Sequence, residues 1–275
     1  MHDAVKKQAV GPVERLVRHD QRIVSLSVAV IVVLAAAYTF FGAGMQMSAL
    51  QMTQMVRPIG EPMSMGADPV WTVRYAFVIF LMWWIMRIAM MTPSAAPMLL
   101  LYTALKRAGS DHDKAVALSF LFLLGYLGIW ALFSAAATGL QALAEFWALA
   151  NGRMMAIDGR WLAALVFIAT GLYQLSNLKE ACLTHCKSPA HFLAEHRHPG
   201  ALGAVRTGAR HGIYCLGCCW ALMALLFVGG VMNLYWIVGI AIYVLLEKIV
   251  PDTRFLVRLT GVSLMLFGAY LLATS

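Results

Sequence analysis

Residues 115–140 read AVALSFLFLLGYLGIWALFSAAATGL, a run of 26 residues without a charged side chain. An α-helix needs about 20 predominantly apolar residues to cross the hydrocarbon core of a bilayer. This segment therefore predicts a membrane-spanning helix. Comparable apolar segments occupy residues 23–41, 70–91, 160–178, 211–229, 231–247 and 255–273. The sequence predicts an all-α, polytopic transmembrane helical bundle of about seven spans.

The overall composition excludes an ordinary water-soluble fold. Of the 275 residues, 61% are hydrophobic and 12% are charged, whereas soluble domains average roughly 45–50% apolar and 25% charged residues. Because a bundle of spanning helices uses the chain as one unit, we expect a single transmembrane helical domain over residues 23–275. A basic cytoplasmic segment, residues 1–22, precedes it.

The positive charges are distributed unevenly between the predicted spans. With the N-terminus in the cytoplasm, 17 of the 21 Lys and Arg residues, Arg87 among them, fall on the cytoplasmic side and four fall outside. Lys and Arg accumulate in cytoplasmic loops, so we expect the N-terminus inside, the C-terminus outside, residues 179–210 in the cytoplasm and residues 42–69 outside. The net charge of +8 therefore reflects topology. It indicates the lipid bilayer as a partner and no nucleic acid.

Two segments complicate this pattern of spans. Pro93 and Pro97 interrupt a run that stays apolar through MLLLYTAL, so residues 92–107 are predicted to form a broken continuation of the second span or an interfacial helix. The longest polar stretch, residues 179–210, is predicted to be a loop with one short amphipathic helix.

All five cysteines lie near the predicted cytoplasmic helix ends. The cytoplasm is reducing, so thiols gathered there indicate metal binding or redox chemistry rather than structural disulfides. Cys182 and Cys186 are spaced i, i+4, and Cys215, Cys218 and Cys219 are spaced i, i+3, i+4, so each set shares one helix face. Two facing sets of thiols can converge on one ion. Thiolates select Cu(I), Zn or iron–sulfur centres, although buried cysteines also serve simply as small hydrophobic side chains.

Other side chains at the same depth could complete such a site. His185 lies between Cys182 and Cys186, and His211 lies one turn before Cys215, so both are candidate ligands. Met90 and Met91 lie beside the proline interruption, where freed backbone groups are typical of functional sites in membranes. Glu247 closes the sixth predicted span. An ionisable residue near the membrane suggests function, but a solvated helix end explains it equally well.

The predicted external loop is rich in methionine. Thioethers bind Cu(I) and cannot form disulfides, which suits an oxidising exterior. Flexible methionines that fill gaps in an interfacial loop are the alternative. The candidate external ligands are Met45, Met47, Met63 and Met65.

Three stretches and one pair carry a family resemblance: MWWIMRIAMMTPSAAPMLLLY at 82–102, YQLSNLKEACLTHCKSP at 173–189, HGIYCLGCCWALM at 211–223, and Glu247 with Lys248. In this order, over about residues 70–250, they resemble a prokaryotic family described as predicted metal-binding integral membrane proteins. That family includes a copper chaperone proposed for tyrosinase-type oxidases. The resemblance implies metal binding by the five cysteines and copper delivery to an oxidase. It also implies a multi-pass protein of the bacterial inner (cytoplasmic) membrane.

These observations favour a membrane-embedded Cu(I) chaperone, or a transporter-like delivery factor, for a copper-oxidase client rather than an enzyme. Copper is the expected ion and zinc is the second possibility. A membrane thiol/disulfide redox enzyme remains an alternative because Cys215 and Cys218 have the C-x-x-C spacing. An assembly subunit of a membrane complex is another alternative, but it would leave the thiols unexplained. No glycine-rich nucleotide loop is present in the sequence, which argues against ATP-driven pumping by this chain.

Overall fold

The computed structural model describes residues 12–42, 48–55, 59, 70–151, 155–196 and 198–274. Nearly all of this part of the chain is helical, which confirms the all-α class. A two-residue β-hairpin, β1 (Ala150–Asn151) paired with β2 (Ala156–Ile157), was not predicted. A single 3₁₀ turn lies at His112–Lys114. The helices are α1 (Pro12–Phe41), α2 (Ala49–Gln54), α3 (Val73–Ala108), α4 (Ala115–Phe146), α5 (Arg160–Gln174), α6 (Asn177–Lys187), α7 (Pro189–Glu195), α8 (Gly200–Ala224), α9 (Leu226–Gly229), α10 (Leu234–Ile249) and α11 (Arg254–Ala273).

Five helical segments in the described chain are long and apolar enough to cross a membrane. They lie in α1, α3, α4, α8 with α9, and α11. The pair α5 and α6, bent by 62°, raises the number to six when it is counted as one broken span. α10 has 16 residues, fewer than the roughly 20 that a perpendicular crossing requires. The crossing by α10, and with it the seventh span, stays a prediction.

The predicted interruption after residue 91 is wrong, because α3 continues through Pro93 and Pro97 as one helix of 36 residues. Proline removes the donor to the carbonyl four residues earlier, so Pro93 and Pro97 leave the carbonyls of Ala89 and Pro93 without an intrahelical partner, and a packed membrane bundle tolerates such prolines. Between these two positions, the Met91 carbonyl accepts the hydroxyl of Ser94 at 2.8 Å and that of Tyr126, from α4, at 3.0 Å. Hydroxyl donors therefore reach the backbone of α3 at this point.

The continuity of α3 changes the position of Arg87. Counted above as a cytoplasmic residue, it lies 14 residues inside the helix and is fully buried. The charge count is still strongly one-sided without it. The prediction for residues 179–210 also needs correction, because α6, α7 and the first turns of α8 occupy most of that stretch.

The helix α8 lies beside α4, and two glycines allow the close approach. A Cβ atom at Gly208 would lie 1.9 Å from the carbonyl oxygen of Phe122, and one at Gly125 would lie 2.1 Å from that of Val205. Small residues of this kind let helix backbones approach closely in membrane bundles. The same helix α8 also contacts α6, while α1 packs on α3 and α5 on α11.

The bend between α5 and α6 determines where the first two cysteines lie. Cys182 and Cys186 lie on a helix separate from α5, because α5 ends at Gln174 and α6 starts at Asn177. Ser176 caps the new helix by accepting the Lys179 backbone N–H at 3.2 Å, as serine commonly does. The change of direction brings α6 against α8.

Candidate metal centre

The thiols of α6 and α8 meet in the interior. Cys186, Cys215, Cys218 and Cys219 are buried, and Cys182 is partly exposed. The Cys218 side chain adjoins Cys186 across the interface between α6 and α8, and Cys215 and Cys219 lie beside it on its own helix. Cys182 reaches α8 where a glycine leaves room, because its Sγ would lie only 2.7 Å from a Cβ at position 217. The two helices therefore bring all five cysteines to one region.

The thiols are neighbours but are not arranged around a point. Cys218 and Cys219 each donate to the Cys215 carbonyl, at 3.1 and 2.9 Å, as thiols do within a helix. In the described residues no group of three or more His, Cys, Asp or Glu side chains has the geometry of a metal site. Binding would require these sulfurs to turn from the backbone carbonyl towards one another, a rotation about one side-chain bond each.

Cys215 is the thiol with the most elaborate surroundings. The Lys248 ammonium, from α10, lies 3.0 Å from its sulfur and also donates to Ser94 of α3 at 2.8 Å. The Tyr126 hydroxyl, from α4, lies 3.2 Å from the same sulfur. Thiolate is the form that binds metal, and an ammonium at hydrogen-bonding distance stabilises that charge. Cys215 of α8 is thus contacted from α10 and α4, and α3 is linked to it through Lys248.

His211 is the candidate ligand whose surroundings are most unusual. Its ring is 2% exposed, and neither ring nitrogen has a hydrogen-bond partner among the described residues. Its centroid lies 5.6 Å from the ring of Tyr126 and 5.6 Å from that of Phe192. Burying an unpaired polar group costs about 1–3 kcal/mol. A buried imidazole one turn from Cys215 with both nitrogens unused is chemically able to bind a soft ion.

Two other predicted ligands are occupied elsewhere. His185 stacks on Tyr214 at 4.3 Å between ring centroids, and its Nδ1 lies 2.8 Å from the Ala181 carbonyl oxygen. Glu247 accepts from Lys179 through both carboxylate oxygens, at 2.8 and 2.9 Å. These contacts tie the two side chains to the surrounding helices rather than to the thiols.

The predicted methionine ligands fall into three groups. The Met91 sulfur lies 3.9 Å from the Cys219 sulfur, so this thioether adjoins the thiols. The Met90 sulfur instead lies 3.8 Å from the guanidinium of Arg87. The four methionines predicted to capture copper outside lie beyond the described residues; they are Met45, Met47, Met63 and Met65.

Several neighbours of the thiols were not predicted. Tyr126 and Ser94 contribute hydroxyls, and Lys248 had been noted only as part of the family resemblance. Arg87 had been counted only for topology, although a charged residue within the apolar run MWWIMRIAMM is itself a signal of function in a membrane helix. For Tyr126 no signal was available, because a tyrosine in an apolar span usually reports packing.

Comparison with known proteins identifies the family to which this chain belongs. The chain matches the family described as PpoB2, copper chaperone, over residues 80–271, which include every cysteine and the helices α4 to α10. The chain therefore belongs to this copper chaperone family. The resemblance drawn from the sequence to a copper chaperone family is confirmed. No curated protein and no solved structure matches the chain.

Proposed function

We propose that this protein is a membrane-embedded Cu(I) chaperone that holds the ion on the thiols of α6 and α8 and delivers it to a copper oxidase. The observation that carries the proposal is the packing of α6 on α8, which buries Cys186 beside Cys215, Cys218 and Cys219 and places the Met91 thioether 3.9 Å from Cys219. Soft thiolates and thioethers favour Cu(I). Membership of a copper chaperone family supports copper as the cargo.

Ligand exchange is the chemistry this arrangement can perform. Cu(I) bound by two or three thiolates can pass to a competing ligand one sulfur at a time, without a redox step. Cys182, partly exposed at the edge of the group, is suited to receive or release the ion first. The thiols face the cytoplasm in the proposed topology, and the membrane is the bacterial inner membrane. Capture by the external methionines is a further part of this proposal.

The binding step is testable with the purified protein in detergent. Cu(I) is supplied with bicinchoninate as a competing chromophoric ligand, and the retained metal is counted by mass spectrometry. The wild-type protein is expected to retain copper, and the Cys186→Ser/Cys218→Ser variant is expected to lose most of it because thiolate ligands are removed. The matched control is Thr184→Ser, on the same helix between the two cysteines of α6. Equal copper retention by wild type and the cysteine variant would refute the thiol site.

The delivery step is testable in cells that carry a copper oxidase. With Cys215→Ser/Cys218→Ser, the client oxidase is expected to be poorly metallated at low external copper and to recover when copper is abundant. Full loading of every oxidase at low copper would contradict the chaperone role. Changing the four external methionines named above to leucine should leave copper retention by the thiols intact, because leucine keeps bulk and removes only the thioether sulfur.

A thiol/disulfide redox enzyme is the second candidate, and the same Cys186 to Cys218 contact favours it. Forming one disulfide releases two electrons and two protons, so this activity requires an electron acceptor. The two candidates differ in the state of the cysteines. Alkylation of freshly isolated protein followed by peptide mass spectrometry should find free thiols for the chaperone, whereas a large disulfide fraction linking Cys186 to Cys218 would favour the enzyme.

A further inference from the structure

Arg87 occupies an unusual place between the thiols and the outer half of the bundle. It is fully buried 14 residues inside α3, well within the helix. Cys219 and Met91 are in contact one turn further along α3. A helix rises about 1.5 Å per residue, so the backbone of Arg87 lies roughly 6 Å from that of Met91, on the side away from Pro93.

Thioethers extend from the thiols to Arg87 and beyond. Met82, Met86 and Met90 are spaced i, i+4, i+8 on α3, and all three are buried. Met223 of α8 follows Cys219 by one turn and is also buried. These sulfurs could in principle relay Cu(I) along the bundle. The Arg87 guanidinium interrupts the series, because its Nη1 donates to the Met223 sulfur and lies 3.8 Å from the Met90 sulfur.

The surroundings hold the guanidinium in this position. Its carbon lies 4.7 Å from the ring centroid of Trp83 and 5.2 Å from that of Phe133, both within cation–π range. Trp83 is itself fixed, because its indole N–H donates to Gln141 at 3.0 Å. No ion pair in the described residues joins Arg87 to a carboxylate, and its Nε and Nη2 have no hydrogen-bond partner there. The guanidinium thus has no carboxylate partner in that part of the chain, and the ionisable group near it is the Cys219 thiol.

We propose that Arg87 is an electrostatic barrier that occupies the thioethers of Met90 and Met223 and prevents Cu(I) from passing between the thiols and the outer half of the bundle. The inference rests on the proposed copper function and refines it: copper captured by the external methionines is not passed through the bundle to the thiols, and the protein is a one-sided chaperone rather than a conduit. Two like charges about 4 Å apart in a protein interior disfavour occupancy by roughly a thousandfold. A buried arginine excludes cations from membrane pores by the same physics.

The experiment uses the full chain reconstituted in liposomes that contain bathocuproine disulfonate, an impermeant Cu(I) chromophore. Cu(I), kept reduced with ascorbate, is added outside, and colour inside reports flux. Wild-type protein is expected to give no more flux than protein-free liposomes, and Arg87→Met at least tenfold more. Arg87→Lys retains the charge and should stay closed. Arg74→Met, an exposed arginine on the same helix, is the matched control and should also stay closed.

Two further measurements separate a thioether route from a damaged bundle. Adding Met90→Leu and Met223→Leu to Arg87→Met should return the Cu(I) flux to the wild-type level, because the route loses its ligands. Potassium flux should stay at background in every variant. The barrier is refuted if wild type conducts as fast as Arg87→Met, if Arg87→Met is no faster than Arg74→Met, or if its potassium flux rises with its copper flux. Failure of wild type to retain Cu(I) in detergent would instead refute the proposed function, whatever the flux.

Discussion

Two buried cations in this bundle have opposite surroundings. Lys179 and Glu247 form an ion pair whose side chains are each 1% exposed, and both carboxylate oxygens accept from the ammonium. Arg87 is just as buried, but its contacts are two thioether sulfurs and two aromatic rings. Lys179 is paired with a carboxylate, so a structural role in joining helices explains its charge. A buried charge without a carboxylate partner among the described residues, such as that of Arg87, requires another explanation.

The complete pair helps to build the thiol site. Lys179 belongs to α6, Glu247 to α10, and Gln174 at the end of α5 donates to Glu247 at 3.3 Å. Their contacts join three helices at the bend that turns α6 towards α8. The residue after Glu247, Lys248, then reaches Cys215. The Lys179 pair therefore positions the helix that carries Cys182 and Cys186, whereas Arg87 lies on the far side of Met90 and Met91 from the proline-containing end of α3.

The largest effect is expected from Lys179→Met. Removing one member of a buried pair leaves an uncompensated charge, Glu247, and destabilises proteins by about 3–5 kcal/mol. Unfolding in detergent, followed by circular dichroism against denaturant, measures the loss. The control is Glu180→Gln, the neighbouring exposed acidic residue, and Lys179→Met/Glu247→Leu should recover most of the stability. A loss no larger than that of the control would show that the pair has no architectural role.

The second-largest effect is expected from Lys248→Met. This variant should weaken Cu(I) binding by about 10- to 100-fold, the usual range for a residue that supports a metal ligand. The ammonium stabilises the charge on Cys215, and methionine keeps the length of the side chain without the charge. Competition with bicinchoninate measures the affinity. Lys248→Arg should retain more affinity than Lys248→Met. Lys187→Met is the matched control, since that ammonium bonds to Thr253 and Pro251 instead, and an equal loss there would contradict the role of Lys248.

His211→Phe is expected to have a smaller effect, which lowers the Cu(I) affinity but does not lower the stability of the metal-free protein. Cu(I) affinity should fall about tenfold if the imidazole is a ligand, comparable to the loss of a supporting group. The metal-free protein should keep its stability or gain about 1 kcal/mol, because two unpaired buried nitrogens are removed. Denaturant unfolding without copper and chelator competition with copper measure the two quantities. A loss of stability in the metal-free protein would mean that the ring has a structural role.

The sequence predicted those parts of the site that depend on local geometry. Helical periodicity alone places Cys182 with Cys186 on one face and Cys215 with Cys218 on another, and α6 and α8 have this arrangement. The meeting of the two faces depends on the bend after Gln174. That bend comes from a serine cap rather than from a glycine or proline, so hydrophobic periodicity carried no sign of it.

The errors along α3 have a physical explanation as well. Two prolines predict an interruption when the helix is considered alone, but α3 packs against α1, α4 and α10, and each proline removes only one hydrogen bond of the helix. Only the tertiary structure contains that packing. Arg87 was assigned to a cytoplasmic surface because the predicted span ended four residues later, at Met91. Because α3 extends to Ala108, the same arginine lies in the interior. It therefore no longer reports the topology of the chain and becomes a candidate functional residue.

The smallest effect is expected on the free energy of unfolding of Arg87→Met. This variant also tests most directly whether Arg87 and Lys179 have different roles. The wild-type side chain gains about 2 kcal/mol from each of its two desolvated cation–π contacts and loses about 1–3 kcal/mol for each of its two buried nitrogens without a partner. Methionine restores apolar volume beside Trp83 and Phe133 and removes the unmatched charge. These effects nearly cancel, so the free energy of unfolding should change by less than about 1 kcal/mol, against the several expected for Lys179→Met. The same denaturant titration compares both variants. A loss for Arg87→Met as large as that for Lys179→Met would mean that Arg87 is also an architectural charge, and the comparison between the two cations would fail.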